Sequence, residues 1–430
     1  MSKYIKTLFL ALLAFTVQAQ VPQPADPQEG PIAIVNATAH LGNGQVIEQS
    51  VVAFDQGKLT VVADASTRPD LSGHRVIEAE GKHVYPGFIL PKSTLGLVDI
   101  NAVRPTRDFA EVGEFTPHVR SLIAYNTDSE LIAALRFNGI LLAQSTPTGG
   151  RISGTSSIMM LEGWNWEDAA YRADDGIHLS WPALSFGARW WLGETGRRKN
   201  DRYADQVSEL LTFLRDAKSY HKKPTAKKNL LLEATRPLFT GEKQLFVEAN
   251  NAAVIVEAIN SLKATGVQKI VLVGGRDAWH VKDLLVQENI PVLLNEVHSR
   301  PNRDDEDIDL HFRMPGILTD AGVKVGLMYR SLQSSRNLPF FAGSAVAYGM
   351  EKEEALKLIT SNTAEILGIG DRAGTLEVGK DAILFVSQGD ALDMRTSKVE
   401  MAFVQGKELE LVGKQQVLFN RFKEKYEKGE

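Results

Sequence analysis

Nine histidines carry most of this chain's capacity for metal or acid–base chemistry, and their spacing argues against a shared ion. They stand at His40, His74, His83, His118, His178, His221, His280, His298 and His311, with no HxH or HxxxH pair among them. A zinc site needs at least three neutral or anionic donors in fixed geometry. Each histidine alone reads as a surface or packed side chain. The one concentration of imidazole and acid is His298 and His311 with Glu296, Asp304, Asp305, Asp307 and Asp309. It reads as a solvated loop, with weak calcium binding as the alternative. Nucleophile schemes fare no better. There is no G-x-S-x-G elbow, and Ser153 lies in the loop-like context GGRISG. Carboxylate pairs for glycoside chemistry cannot be picked out by spacing alone. Trp164, Trp166, Trp181, Trp190 and Trp191 fall in one stretch. They read as packing over a core, with an aromatic surface for a peptide or sugar as the sharper alternative.

The elements that must position these residues follow from length and pattern. A chain of 430 residues allows one large domain and a smaller one. A net charge of −5 without a basic tract or acidic tail does not favour nucleic acid or an anionic membrane as partner. Lys3 and Lys6 precede an apolar run over residues 8–15, and Val17-Gln18-Ala19 offers a cleavage site before Gln20. Residues 1–19 therefore read as a secretory signal peptide followed by a proline-rich lead-in. There is no cysteine, so the chain has no disulfides, no thiol nucleophile and no lipid-anchored cysteine. Short β-branched runs at residues 32–39, 51–54, 59–62 and 75–77 predict strands separated by turns at Asn43-Gly44, Gln56-Gly57 and Ser72-Gly73. The far end repeats this pattern at residues 374–386 and 399–404, with a turn at Gln405-Gly406. Between the ends, helical patterns over residues 128–138, 251–265 and 277–288 each lead into an apolar strand, and a long helix is expected over 351–367. Such alternation predicts a parallel sheet, closed as a barrel or open and doubly wound. Gly274-Gly275 is a lone pair that reads as a tight turn rather than a phosphate cradle.

Residues 85–97, YPGFILPKSTLGL, resemble the first barrel strand of the amidohydrolase superfamily, whose pattern is PGFIDxHxH with both histidines on a catalytic metal. The phrase GTLEVGKDAILFV near the carboxy terminus resembles that family's closing signature. The resemblance covers nearly all of the chain after the lead-in. It implies a (β/α)8 TIM-like barrel over residues 84–370 and a small composite β-sandwich built from residues 20–83 and 371–430. It also implies divalent metal, usually zinc, and hydrolysis of carbon–nitrogen bonds. The residues at the family's site positions depart from the pattern. Leu90 stands at the aspartate, Lys92 at the first histidine and Thr94 at the second. QLFVEAN resembles the fifth strand, with Glu248 at its metal-binding histidine. VKVGLMYRS resembles the eighth, with Arg330 at its metal-binding aspartate. Residues 149–168 resemble a segment of one secreted bacterial branch and are expected on loops over the barrel mouth.

Lysine and arginine are cations with no lone pair to give a metal, and an ion beside them would meet like charge. The expectation is therefore a degenerate metal site at Lys92, Thr94, Glu248 and Arg330, with no catalytic residues assigned, no metal and no other cofactor. It points to an exported, periplasmic or secreted protein without a membrane anchor that binds a small molecule or peptide, or that partners an intact amidohydrolase paralogue or a second copy. The alternatives are an active hydrolase using atypical ligands and a scaffold without a ligand.

Overall fold

The computed structural model describes residues 24–223, 228–295, 297–301, 303–304 and 306–427. The expected signal peptide, Glu296 and Asp305 lie outside the described residues. The amino-terminal strands are β1 (Ile32–His40), β2 (Val46–Asp55), β3 (Lys58–Asp64), β4 (Arg75–Glu78) and β5 (His83–Pro86). The β2–β3 hairpin turns on two residues, Gln56 and Gly57, both at positive φ (48° and 77°). That is the turn geometry matching the right-handed twist of its strands.

The chain then enters an eight-stranded sheet: β6 (Phe88–Ser93), β7 (Ile140–Ser145), β8 (Ile152–Met160), β9 (Ala170–Ser180), then, beyond a small flap of β10 (Ser185–Phe186) and β11 (Arg198–Lys199), β12 (Gln244–Ala249), β13 (Ile270–Gly274), β14 (Val292–Asn295) and β15 (Val325–Met328). Seven strands are parallel, and β15 returns beside β6 to make a nearly closed barrel. Helices pack outside it. Ala252–Thr265 shows how: Asn251 caps its first turn, Gly266 at φ 93° ends it, and Val254, Ile255, Ala258, Ile259 and Leu262 form the buried stripe.

Two departures from the expected alternation have clear causes. Residues 149–168 do not loop over the mouth; they supply β8, all nine of whose residues are buried. β8 runs antiparallel to both β7 and β9. Six residues link it to β7, too few for a crossover helix, so the chain forms a hairpin there. No crossover helix among the described residues joins β7 to β8, and the loop after β6 covers the strand. Thr116 N donates to Ile152 O and Thr155 N to Val119 O, at 2.8 and 2.7 Å. A side chain at Gly154 would meet Val119 O at 2.6 Å, which is why the strand is rich in small residues that read as loop.

The helix expected over 351–367 divides into Lys352–Lys357 and Ser361–Ile366. The break frees two carbonyls for the barrel seam. Ile89 N donates to Ile359 O and Leu327 N to Leu358 O, at 2.9 and 3.0 Å. These are edge groups of β6 and β15 that would otherwise be buried without partners.

The carboxy-terminal strands β16 (Leu384–Ser387), β17 (Val399–Val404) and β18 (Lys407–Glu408) join the amino-terminal ones, in the order β18-β17-β16-β5-β1-β2-β3 with β4 beside β1. Phe54 meets Phe403 edge to face at 5.0 Å in the shared core. The β17–β18 turn, Gln405-Gly406, repeats the positive-φ geometry of Gln56-Gly57 and packs against it.

Candidate functional site

At the carboxy-terminal end of the barrel strands, three of the four residues singled out from the sequence converge. Lys92, one residue before the end of β6, stands at φ +47°, in the left-handed region, where the ladder with β7 slips between Leu90 and Ser93. Its N–H donates to Gln144 Oε1 at 3.0 Å, so a buried amide holds this strained backbone. Glu248 is one residue before the end of β12, level with Ser180 of β9 and Val273 of β13. Arg330 follows β15, and its N–H donates to Asn295 Oδ1 at 3.2 Å. The Glu248 carboxylate bridges the two cations. Oε2 lies 3.7 Å from Lys92 Nζ, and Oε1 accepts from the Arg330 guanidinium. The side chains of Lys92, Glu248 and Arg330 are 12%, 22% and 62% exposed, so the pair with lysine is nearly dry and the pair with arginine is wet. Burial pulls the Lys92 pKa down; Glu248 opposes this and Arg330 adds to it.

Thr94 lies outside this cluster. It lines an open cavity of about 310 Å³ between the loops after β6 and β15, shared with Val98, Phe109, Thr148, Arg330 and Leu332.

One layer nearer the amino ends of the strands is a polar network that the sequence did not reveal. Gln144 Nε2 donates to Asp175 Oδ2 at 2.6 Å, and Ser156 Oγ donates to Asp175 Oδ1 at 2.7 Å. His178 Nε2 lies 2.8 Å from Ser156 Oγ, and its ring stacks on Phe246 at 4.7 Å. Since Ser156 gives its one proton to Asp175, His178 donates through Nε2. Its Nδ1 is then a buried acceptor without a partner. Burial, then the charge of Lys92, holds His178 well below the ordinary imidazole range, so it is neutral. Burial pushes the Asp175 carboxyl up against the hydrogen bonds from Ser156 and Gln144. The signal for this layer was the run GIHLS, whose alternation marks a strand with His178 and Gly176 on one face.

The other histidines sit elsewhere. His40 pairs with Glu353 at 2.7 Å and meets His83 at 3.0 Å beside Tyr85, within the end sheet. His280 stacks on Trp279 in a short helical turn after β13, and His298 meets Ser344 Oγ at 2.5 Å. The acidic stretch expected to be a solvated loop is partly buried. His311 is in a helix facing Glu306 at 3.8 Å, and Arg303 pairs with both Glu306 and Asp277. The need to neutralise Glu306, which is almost fully buried, draws this segment inward. The tryptophans do not form one surface: Trp181 is buried, whereas Trp164 and Trp191 are exposed.

Comparison with known proteins fits this architecture. Residues 306–409, from the acidic segment through β18, match the model of the Amidohydrolase family. Amidohydrolase tasK of Hapsidospora irregularis is 30% identical over 120 residues, covering 25% of this chain. The chain spans 12% of that protein's length. An amidohydrolase from Thermotoga maritima superposes with a TM-score of 0.77 at 23% identity, over 88% of this chain and 99% of the other. A putative prolidase from Bifidobacterium longum does so at 0.53 and 14%, over 89% and 95%. The chain has the fold of the amidohydrolase from Thermotoga maritima, and its residues 306–409 carry the family match.

The divalent metal that this superfamily implies does not fit the residues at the barrel mouth of this amidohydrolase relative. The donors there reduce to the Glu248 carboxylate, already engaged by two cations. Among the described residues no group of three or more histidine, cysteine, aspartate or glutamate side chains could hold an ion. The layer below offers His178 and Asp175, but Asp175 is tied to Gln144 and Ser156, and Lys92 is the nearby charge felt by His178.

Proposed function

We propose that this chain is a non-catalytic member of its superfamily, exported and acting by binding. The observation that supports it is the bridging of Lys92 and Arg330 by Glu248, which gives the barrel mouth an internal ion cluster where relatives would need an ion. A fixed lysine and arginine engage the one carboxylate from two sides. They also raise the electrostatic cost of a divalent cation at the same point. Export rests on the lysine-led apolar run of residues 1–19.

The test is elemental analysis of protein purified from cells grown with zinc and manganese, alongside hydrolysis assays on N-acyl amino acids and dipeptides. The expected result is substoichiometric metal and no turnover above that of the Lys92→Ala variant. Stoichiometric metal together with turnover that chelators abolish would replace this reading with that of an active hydrolase.

A further inference from the structure

We propose that the cavity beside Arg330 is a binding site for a small organic carboxylate with an apolar body. The assignment rests on the non-catalytic reading above. While Lys92 is protonated, two cations face a single carboxylate, so one positive charge is unbalanced at the mouth. Arg330 carries it outward: its guanidinium meets Glu248 on one side, is 62% exposed, and forms part of the cavity wall. The cavity holds about 310 Å³, at the small end of ordinary ligand sites. Val98, Phe109 and Leu332 line it with apolar surface, and Thr94 and Thr148 add hydroxyls, while no carboxylate is among the described residues of its wall. A planar guanidinium pairs two-pronged with a carboxylate better than with any neutral group. An amine-bearing ligand would meet like charge there, and a fully apolar one would leave the cluster's excess positive charge unanswered. The Arg330 backbone is fixed by Asn295 and its NH2 by Glu248, so the anchor is oriented before the ligand arrives.

The experiment uses the full mature chain and two probes of equal shape, N-acetyl-L-leucine and its neutral amide, measured by calorimetry and ligand-observed NMR. The acid is expected to bind about tenfold or more tightly than the amide, the effect of one charge-assisted hydrogen-bond pair. Arg330→Gln should bring the acid down to the level of the amide, and Arg330→Lys should retain part of the difference. Asn101→Trp, a filling change at an exposed wall residue, should remove binding of both probes without moving the melting temperature. Equal binding of acid and amide, or unchanged affinity in Arg330→Gln, overturns the carboxylate assignment and leaves the binding reading standing. No binding of either probe at millimolar concentration by folded protein overturns the site itself. Stoichiometric metal with chelator-sensitive turnover would instead overturn the non-catalytic reading, and it is measured separately.

Discussion

Replacing Glu248 by glutamine tests the ion cluster most directly. The change keeps the shape and removes the one anion between Lys92 and Arg330. Removing one partner of a fully buried pair costs roughly 3–5 kcal/mol, because a buried charge is left alone. Two features reduce this. Arg330 is 62% exposed, so water takes over its charge and its share is small. Lys92 is nearly dry, but its Nζ stands 3.7 Å from the carboxylate rather than in close contact. Lysine also has a way out: it can release its proton. At pH 7 that costs an ordinary lysine about 4.6 kcal/mol, which caps the penalty. The expected loss is therefore about 2–3 kcal/mol, nearly all of it from Lys92. The pH dependence follows from the sign of the shift. A lysine whose folded pKa lies below its unfolded value penalises the fold at low pH. Stability then rises with pH between the two values, where the unfolded chain binds more protons. Loss of Glu248 depresses Lys92 further, so urea midpoints of Glu248→Gln should climb toward the wild type as pH rises from neutrality toward the ordinary lysine range. Lys92→Met in the same background should recover most of the loss at pH 7. A Glu248→Gln protein as stable as wild type at pH 7, with no gain from Lys92→Met, would refute the reasoning.

Three further outcomes are expected. Burial raises the Asp175 pKa, so its ionisation costs stability as pH rises from the ordinary carboxylate range through the folded value. Asp175→Asn should flatten that part of the stability–pH curve and raise the urea midpoint at pH 7, whereas an unchanged curve would place Asp175 in a wetter setting. Mass spectrometry of the native protein should show an amino terminus near Gln20, and charged residues at Leu10 and Leu12 should block export; an intact Met1 contradicts the signal reading. Truncation after Gly370 removes β16 to β18 and exposes the edge of β5 and the face of Phe54, so the product should aggregate. A soluble truncation with a cooperative melt would show the two ends to be independent.

Fold was legible where one physical signal dominated. The two-residue turns Gln56-Gly57 and Gln405-Gly406 sit between β-branched runs, and both form tight hairpins. Residues 251–265 show helical spacing with a capping asparagine, and a helix stands there. The reading failed where tertiary contacts decide. β8 is rich in glycine and serine because one side carries a polar network and the other a covering loop, and composition alone cannot tell that from a surface loop. The break at Leu358 exists to bond strands more than 30 residues earlier in the chain or near its start, which helical spacing cannot foretell. At the site, Lys92, Glu248 and Arg330 could be named because each falls at a metal-ligand position of the amidohydrolase strands that the chain resembles. Gln144, Ser156, Asp175 and His178 could not, since three strands must be aligned before their polar atoms meet.

The two polar layers of the barrel are mechanically joined, and the join explains why the ion cluster is so sharply placed. Gln144 spends its amide nitrogen on Asp175 and its oxygen on the N–H of Lys92. It therefore carries the geometry of the lower layer into the backbone of the upper one. That bond engages the N–H of Lys92 at its strained φ of +47°, the backbone from which its side chain meets Glu248. A chain that merely lost its metal ligands by drift would have no need of such support, since a lysine at the mouth could simply reach for water. Here a buried amide, a protonation-sensitive carboxyl and a neutral histidine are all fitted beneath it. Such support for an oriented cation is what the proposed binding site would require.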